Sequence, residues 1–392
     1  MYRQGPARFL PEDVDYTLCT HINYGFAVLD PDSLVMVPHD TYVDIKKSFY
    51  EDVIAFKSKG VKVLIALGGW NDSEGDKYSR MVADREKREN FVTNALTFME
   101  EWGFDGLDLD WEYPKCWQVD CTKGPDSDKE GFSALVKELS EAMRSRGLIL
   151  SAAVSPSKTV IDQAYDVPVL NEYLDMINVM TYDYHGYWDR QTGHVSPLYS
   201  SDSKDNFNSN FSMTYWAQLG ADKEKLILGL PLYGQTFTLA SPAESDLGAD
   251  VLGRGEAGEF SRAGGFMAFY EICRKIKSEG WKETRDPAQR HGPYAVSGDQ
   301  WVSYDDVIMM RTKAEYVIDN GFGGAMVWAL DLDDYSRMCG CEHYPLLKTV
   351  NRVLRKYPGA QPQCEMHTSY QGPGVDVDTL SRLSINVGDF DL

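Results

Sequence analysis

The chain has 392 residues, of which 43% are hydrophobic and 25% charged, enough for one large barrel-type domain with an insertion or for two ordinary domains. With 60 Asp and Glu against 39 Lys and Arg, the formal net charge is −21, which argues against nucleic acid and anionic membrane surfaces as partners. No apolar run reaches the roughly 18 residues that would predict a membrane-spanning helix.

Seven β-rich apolar runs recur along the chain, and helix-periodic stretches separate most of them. This alternation predicts βα units and a parallel sheet that is buried on both faces. Polar and aromatic residues gather at the carboxyl ends of six runs, which favours a (β/α)8 TIM barrel of the α/β class over an open doubly wound sheet. No G-x-G-x-x-G motif follows a strand, which argues against a nucleotide site. The predicted strands are 20–28, 61–70, 103–113, 148–155, 176–184, 226–233 and 324–332, and the predicted helices are 41–59, 85–102, 129–146 and 304–320.

The third run, G-F-D-G-L-D-L-D-W-E-Y-P at 103–114, places four carboxylates within eight residues of an apolar stretch. Side chains alternate between the faces of a strand, so Asp108, Asp110 and Glu112 are predicted to share one face. Pro114 ends the run, which puts Glu112 near the carboxyl end of the strand, where α/β enzymes keep their chemistry.

Crowded carboxyls raise one another's pKa, so one member of this row is predicted to hold a proton near neutral pH. Asp105 has the wrong parity for the row and is interpreted as a group at the start of the strand or as a support behind the acids. A calcium loop or a solvated acidic turn is the alternative, but such loops carry Gly and polar residues where this chain has Leu, Leu and Trp.

The connection between the sixth and seventh predicted strands is too long for a βα unit, since about ninety residues separate Tyr233 from Gly324. Residues 237–302 are therefore predicted to form an inserted α+β subdomain within a barrel domain that spans 1–358. Residues 359–392 are rich in Gly, Pro, Ser and Asp and are interpreted as a linker-like tail.

The acid run matches the pattern D-x-x-D-x-D-x-E and resembles glycoside hydrolase family 18, the retaining chitinases, and above all their animal and insect members. Three further stretches resemble strand ends of that family: L-G-G-W at 67–70, M-T-Y-D-Y-H-G at 180–186 and G-A-M-V-W-A-L-D at 324–331. Ala66 stands where the family usually has Ser, and Gln235 stands where animal members often have Arg. By this numbering the insertion lies between barrel strands 7 and 8.

The resemblance implies hydrolysis of β-1,4 linkages in chitin and chito-oligosaccharides by a substrate-assisted mechanism, with no cofactor and no metal. Glu112 would be the general acid and then the base, Asp110 would accept from the acetamido N–H, and Asp108 would share the proton. Tyr182 would donate to the acetamido oxygen. The residues that the resemblance assigns to the groove are Trp328 as its floor, Asp183, Tyr233, Tyr113, Trp70, Met180, Tyr24, Phe26, Trp188 and Trp111. Trp117 is a further candidate for a sugar platform.

Two other functions are compatible with the same scaffold. A chitinase-like lectin would bind chito-oligosaccharides without turnover, and a related enzyme would act on the N-glycan core. Because lectins of this family usually lose the acid, the presence of Glu112 favours an enzyme. The expected partner is chitin, with no nucleic acid and no membrane insertion, and the expected state is a monomer.

The seven cysteines and two Asn-x-Ser sequons, at Asn71 and Asn210, are typical of a secreted protein, although the first residues, M-Y-R-Q-G-P, lack the pattern of a signal peptide. Cys116 and Cys121 could close a local loop. The resemblance implies a bridge between Cys273 and Cys339. Cys341 and Cys364 then remain as a pair, and Cys19 is left without a predicted partner. A barrel needs eight strands and the first of the seven found here resembles the family's second, so the opening strand, with the partner of Cys19, is expected to be missing from this chain.

Overall fold

The computed structural model describes residues 3–359, in which a large mixed sheet carries seven parallel strands. The parallel strands follow the order β1, β3, β4, β5, β6, β7 and β14, and the short β2 pairs antiparallel with β1 on the side away from β3. The strands are β1 (His21–Leu29), β2 (Met36–Pro38), β3 (Lys62–Gly68), β4 (Gly106–Asp110), β5 (Ile149–Val154), β6 (Met176–Val179), β7 (Leu226–Pro231), β8 (Tyr233–Leu239), β9 (Val251–Arg254), β10 (Phe266–Ala268), β11 (Lys282–Thr284), β12 (Tyr294–Ser297), β13 (Gln300–Tyr304) and β14 (Gly324–Trp328).

Helices lie between the parallel strands, as the sequence period predicts. The long helix between β3 and β4 begins where the Asp84 carboxylate accepts from the Lys87 amide, and it ends at Gly103 in the left-handed region. The helices are α1 (Phe49–Ile54), α2 (Lys77–Val82), α3 (Arg85–Trp102), α4 (Ser127–Arg144), α5 (Lys158–Ala164), α6 (Val167–Tyr173), α7 (Ser209–Gln218), α8 (Phe269–Glu279), α9 (Val307–Asn320) and α10 (Pro345–Leu354). None of these helices, in the part of the chain that is described, is long and apolar enough to cross a membrane.

The parallel sheet is curled rather than flat. Phe26 at the end of β1 stacks on Trp328 at the end of β14, with ring centroids 5.6 Å apart, although these two strands lie far apart in the strand order. The carboxyl ends of all seven parallel strands therefore face a common space. This arrangement is the (β/α)8 TIM-barrel fold predicted from the sequence.

The insertion between β7 and β14 forms a second, antiparallel sheet in the order β10, β8, β13, β12 and β11, with β9 paired to β8. It extends from Tyr233 to Tyr304, slightly beyond the predicted 237–302. A buried ion pair between Lys313 of α9 and Asp305 lies where this sheet leads back into the barrel. The Lys313 ammonium also donates to Ser196, in the segment after β6, at 2.6 Å.

Two of the predicted disulfides are present: Cys116–Cys121, and Cys273–Cys339, which ties α8 to the segment after β14. The predicted pair Cys341–Cys364 stays a prediction because Cys364 lies outside the described residues. Cys19 is half-buried and forms no disulfide within residues 3–359, and burial raises the pKa of its thiol to about 12.

Candidate active site

Strand β4 carries the acid row, and its neighbour β3 fits closely against it. Gly68, at φ +118°, has no room for a side chain, because a Cβ there would lie 2.3 Å from the carbonyl oxygen of Asp110. The amide of Gly69 donates to that same oxygen at 2.8 Å. The hydroxyl of Ser73 accepts from the amide of Glu112 at 2.8 Å. The G-G-W strand end thus holds the backbone of the acid row in place.

Asp108 lies deepest and is fully enclosed by polar groups of neighbouring strands. Its carboxylate accepts from the hydroxyl of Ser151 on β5 and, at 3.0 Å, from the amide of Asn178 on β6. Burial raises the pKa of Asp108 to about 6, and the hydrogen bonds from Ser151 and Asn178 limit the rise. Asp108 can therefore exchange a proton in the neutral range.

Asp110 lies between the other two acids. Its side chain is buried, and among residues 3–359 its Oδ1 atom has no hydrogen-bond partner. Burial, followed by the charges of Glu112 and Asp108, holds the pKa of Asp110 well above its ordinary value. A buried acceptor atom without a donor is costly, so Oδ1 is suited to receive a donor from a bound molecule.

Glu112 is the member of the row with access to solvent, being half-buried just past the end of β4. Burial and the nearby charge of Asp183 raise the pKa of Glu112 to about 8, while a hydrogen bond with Tyr113 acts in the opposite direction. Glu112 is therefore protonated at pH 7 and lies where a ligand can reach it. This combination is what a general acid requires.

Two tyrosines and a further carboxylate lie close to the row. Among residues 3–359 the hydroxyl of Tyr182 has only a weak contact, 3.9 Å to the sulfur of Met326, and burial followed by the charge of Asp110 raises the pKa of this phenol well above 10. Asp183, at the opening, accepts from Gln235 at 2.8 Å. Desolvation of its carboxylate raises the pKa of Asp183, and hydrogen bonds with Gln235 and Tyr233 limit the rise. Tyr233 is buried beside Tyr182, with ring centroids 6.1 Å apart.

Three exposed indole rings lie at or after the carboxyl ends of parallel strands. Trp328 is 38% exposed above Phe26, Trp70 is 47% exposed after β3, and Trp188 is 50% exposed after β6. Such rings offer flat apolar faces to a sugar or another planar group. Of the other predicted groove residues, Tyr113 and Met180 are buried near the acid row.

The structure places three of the predicted site residues away from the opening. Trp111 is 3% exposed and packs in the core against Tyr78, as its parity in the strand requires. Tyr24 points toward the helix layer, where its hydroxyl donates to Asp44 at 2.6 Å. Asp105 pairs with Lys57 at the amino end of β4, so it is a group at the start of the strand and does not support the acids.

Trp117 is also structural, because its indole N–H donates to Ser79 and Asp128 below the surface. Three positioning residues were not predicted from the sequence: Ser73, Ser151 and Asn178. Ser151 and Asn178 could have been found, since each is a polar residue inside an apolar strand and next to the strand that bears the acids. The only cluster in residues 3–359 with metal-ligand geometry is Cys273, Asp334 and Cys339, and its two cysteines form a disulfide.

The fold and the acid row define a (β/α)8 glycosidase barrel with its site at the carboxyl ends of the strands. A family model for the glycosyl hydrolases family 18 matches residues 1–333. The chain belongs to that family.

Relatives with known names agree with this assignment. Probable chitinase 10 of Drosophila melanogaster is 59% identical over 364 residues, which are 93% of this chain and 16% of that protein. Chitotriosidase-1 of Mus musculus is 39% identical, over 90% of this chain and 75% of that protein. The chain thus spans about a sixth of the length of its insect relative.

Two solved structures are also similar. Catalytic domain 2 of the Group II chitinase of Ostrinia furnacalis has 55% identity and a TM-score of 0.92, with 93% of this chain and 96% of that one covered. Human YKL-39, described as a pseudo-chitinase with retained chitooligosaccharide binding, has 35% identity and a TM-score of 0.82, with 90% and 96% covered.

Proposed function

We propose that this chain is a chitinase domain that hydrolyses β-1,4 linkages in chitin and chito-oligosaccharides with retention of configuration. The observation that carries the proposal is the pairing of a solvent-accessible Glu112, whose pKa is about 8, with a buried Asp110 acceptor that lacks a donor. The first group supplies the proton that the leaving oxygen needs, and the second is placed to bind the N–H of an acetamido group.

In the first step Glu112 gives its proton to the glycosidic oxygen as the bond from that oxygen to the anomeric carbon breaks. The carbonyl oxygen of the substrate's own 2-acetamido group attacks the anomeric carbon and forms a cyclic oxazolinium ion. Water then attacks the same carbon and transfers a proton to the Glu112 carboxylate. Two inversions give net retention, and no second protein carboxylate has to act as nucleophile.

Asp110 and Tyr182 orient the acetamido group for this attack. The free Oδ1 of Asp110 accepts from the acetamido N–H, which stabilises the positive charge of the intermediate. The Tyr182 hydroxyl, whose hydrogen-bond partner within residues 3–359 is the sulfur of Met326, donates to the acetamido oxygen. Asp108 shares protons with Asp110 as charge develops, since its pKa of about 6 lies in the working range.

The exposed indoles of Trp328, Trp70 and Trp188 are the proposed platforms for successive sugars. In support, the related Ostrinia domain has been solved in complex with penta-N-acetylchitooctaose, (NAG)5. A lectin without turnover is the second candidate, because YKL-39 is a pseudo-chitinase. The intact acid row favours the enzyme.

We further propose that the domain works outside cells as a monomer, consistent with its disulfides. Asn71 is exposed in a turn and is the better candidate for glycosylation. Asn210 lies in the first turn of α7, and its amide oxygen accepts from the hydroxyl of Tyr316 at 3.1 Å.

The decisive experiment compares Glu112→Gln with the parent on N-acetylglucosamine hexamer and on colloidal chitin. The variant should keep binding but lose several orders of magnitude in turnover, because the amide has the shape of the acid without its transferable proton. Glu101→Gln, at an exposed position on α3, is the matched control and should be fully active. Turnover by Glu112→Gln above about a tenth of the parent rate, or an inverted product anomer, would refute the proposed mechanism.

A further inference from the structure

The loop closed by the Cys116–Cys121 disulfide follows the acid-bearing turn directly and has no part in the chemistry proposed above. Its base is fixed to the barrel wall. The indole N–H of Trp117 donates to Ser79 on α2 at 3.1 Å and to Asp128 on α4 at 3.3 Å. The disulfide and these two contacts hold the loop rigidly next to the active site.

The tip of the loop adopts an unusual backbone conformation. Gln118 has φ +48° and Val119 has φ +72°, in the left-handed region that a β-branched residue rarely enters. Such a conformation persists only where the surroundings hold it in place. Its result is that Val119 presents its apolar side chain to solvent, 51% exposed, instead of packing it.

Gln118 connects this tip to two parts of the site. Its backbone amide donates to the carbonyl oxygen of Glu112 at 3.0 Å, and its side-chain amide donates to the carbonyl oxygen of Trp70 at 3.3 Å. The loop is therefore tied to the backbone of Glu112 and to the backbone of Trp70, whose indole is exposed. Val119 follows Gln118 directly in the chain, and its side chain is exposed.

We propose that Gln118 and Val119 form an additional sugar subsite beside Trp70, which is occupied by chitin chains long enough to extend past the reacting sugars. A pyranose ring has an apolar C–H face that fits Val119 and the indole, and hydroxyl groups at its rim that can donate to the amide oxygen of Gln118. This inference rests on the proposed function, since it concerns the length of substrate that the same groove selects.

The test uses the Glu112→Gln chain, so that ligands bind without being cut, and measures Kd by calorimetry for the trimer and the hexamer of N-acetylglucosamine. Val119→Gly removes the side chain, and glycine accepts the left-handed backbone, so the loop keeps its shape. This change should lower the ratio of hexamer to trimer affinity about fivefold, as expected for one lost apolar contact. Gln118→Ala should lower the ratio of hexamer to trimer affinity to a similar degree. In a chain that already carries Trp70→Ala, adding Gln118→Ala should not lower this ratio further.

Lys123→Gln, at an exposed position just beyond the loop, is the matched control and should leave the ratio unchanged. The subsite is refuted if the Val119→Gly ratio equals that of the unsubstituted loop, or if trimer and hexamer weaken equally. Melting temperatures of all variants show whether an affinity loss reflects unfolding. A parent chain that neither binds nor cleaves chitin oligomers would refute the proposed function and the subsite with it, whereas cleavage without length dependence refutes the subsite alone.

Discussion

Glu112 can act as an acid only while it keeps its proton, and the carboxylate of Asp183 helps it to do so. The negative charge of Asp183 disfavours ionisation of Glu112, and its hydrogen-bond partner Gln235 is neutral and cannot cancel that charge. Activity should accordingly fall as the pH rises through about 8, the pKa of Glu112. The neutral Gln235 beside Asp183 thus bears on the pH range of the proposed activity.

Replacing Asp183 by Asn should move the basic limb of the pH profile of kcat/KM to lower pH. The substitution removes the negative charge, so the Glu112 carboxylate becomes easier to form and its pKa falls. The position of the limb, and not the maximal rate, is the measurement, because the family resemblance also assigns Asp183 to the groove. Asp202→Asn, on an exposed segment, should leave the limb in place. A limb that stays where it was, or moves to higher pH, would show that Asp183 does not tune the acid.

At the scale of elements, the Cys273–Cys339 disulfide is a covalent cross-link between the inserted subdomain and the barrel. It closes a span of 66 residues, for which loop-closure entropy gives about 4 kcal/mol of stabilisation. Replacing both cysteines by Ala should lower the melting temperature measured by calorimetry. Cys19→Ser removes a thiol that forms no disulfide in residues 3–359 and should have a much smaller effect. Equal melting temperatures for parent and double variant would contradict this role.

The main elements of the barrel could be predicted because their signals are local. Apolar runs gave the seven parallel strands, and the 3.6-residue period gave helices such as α3. The stretch 41–59 was predicted as one helix but breaks into Tyr42–Lys46, α1 and Ala55–Lys59, since Ser48 enters the left-handed region, which no local signal announced.

Two groove assignments made by position in a motif differ from the structure for separate reasons. Strand alternation turns Trp111 into the core against Tyr78. Tyr24 and Phe26 lie on opposite sides of β1 because the register of the strand shifts between Gly25 and Ala27. The contact between Gln118 and Trp70 could not be predicted at all. It joins residues 48 positions apart through a loop conformation that depends on the folded surroundings.

At the scale of the whole molecule, the active site opposes folding. Asp108, Asp110 and Glu112 all have pKa values raised by burial, so the folded chain holds protons that the unfolded chain releases. Below the unfolded pKa such a group is protonated in both states and costs no stability. As the pH rises from the unfolded pKa through the folded pKa, the unfolded chain releases the proton first, and the free energy of unfolding falls. For Glu112 these limits are 4.5 and about 8. The acid row should therefore destabilise the protein most in mildly alkaline solution.

The variant that abolishes catalysis should for this reason be the more stable protein at high pH. The Gln side chain at position 112 carries no charge at any pH, so the free energy of unfolding of Glu112→Gln should exceed that of the parent at pH 9 and approach it at about pH 4, below the unfolded pKa of 4.5. The expected gain in melting temperature at pH 9 is on the order of a few °C. Glu101→Gln, at an exposed position, should show no such pH-dependent gain. If Glu112→Gln were equally or less stable than the parent at pH 9, the carboxylate of Glu112 would have to be well solvated in the folded chain, and the burial that makes it an acid near neutral pH would not hold.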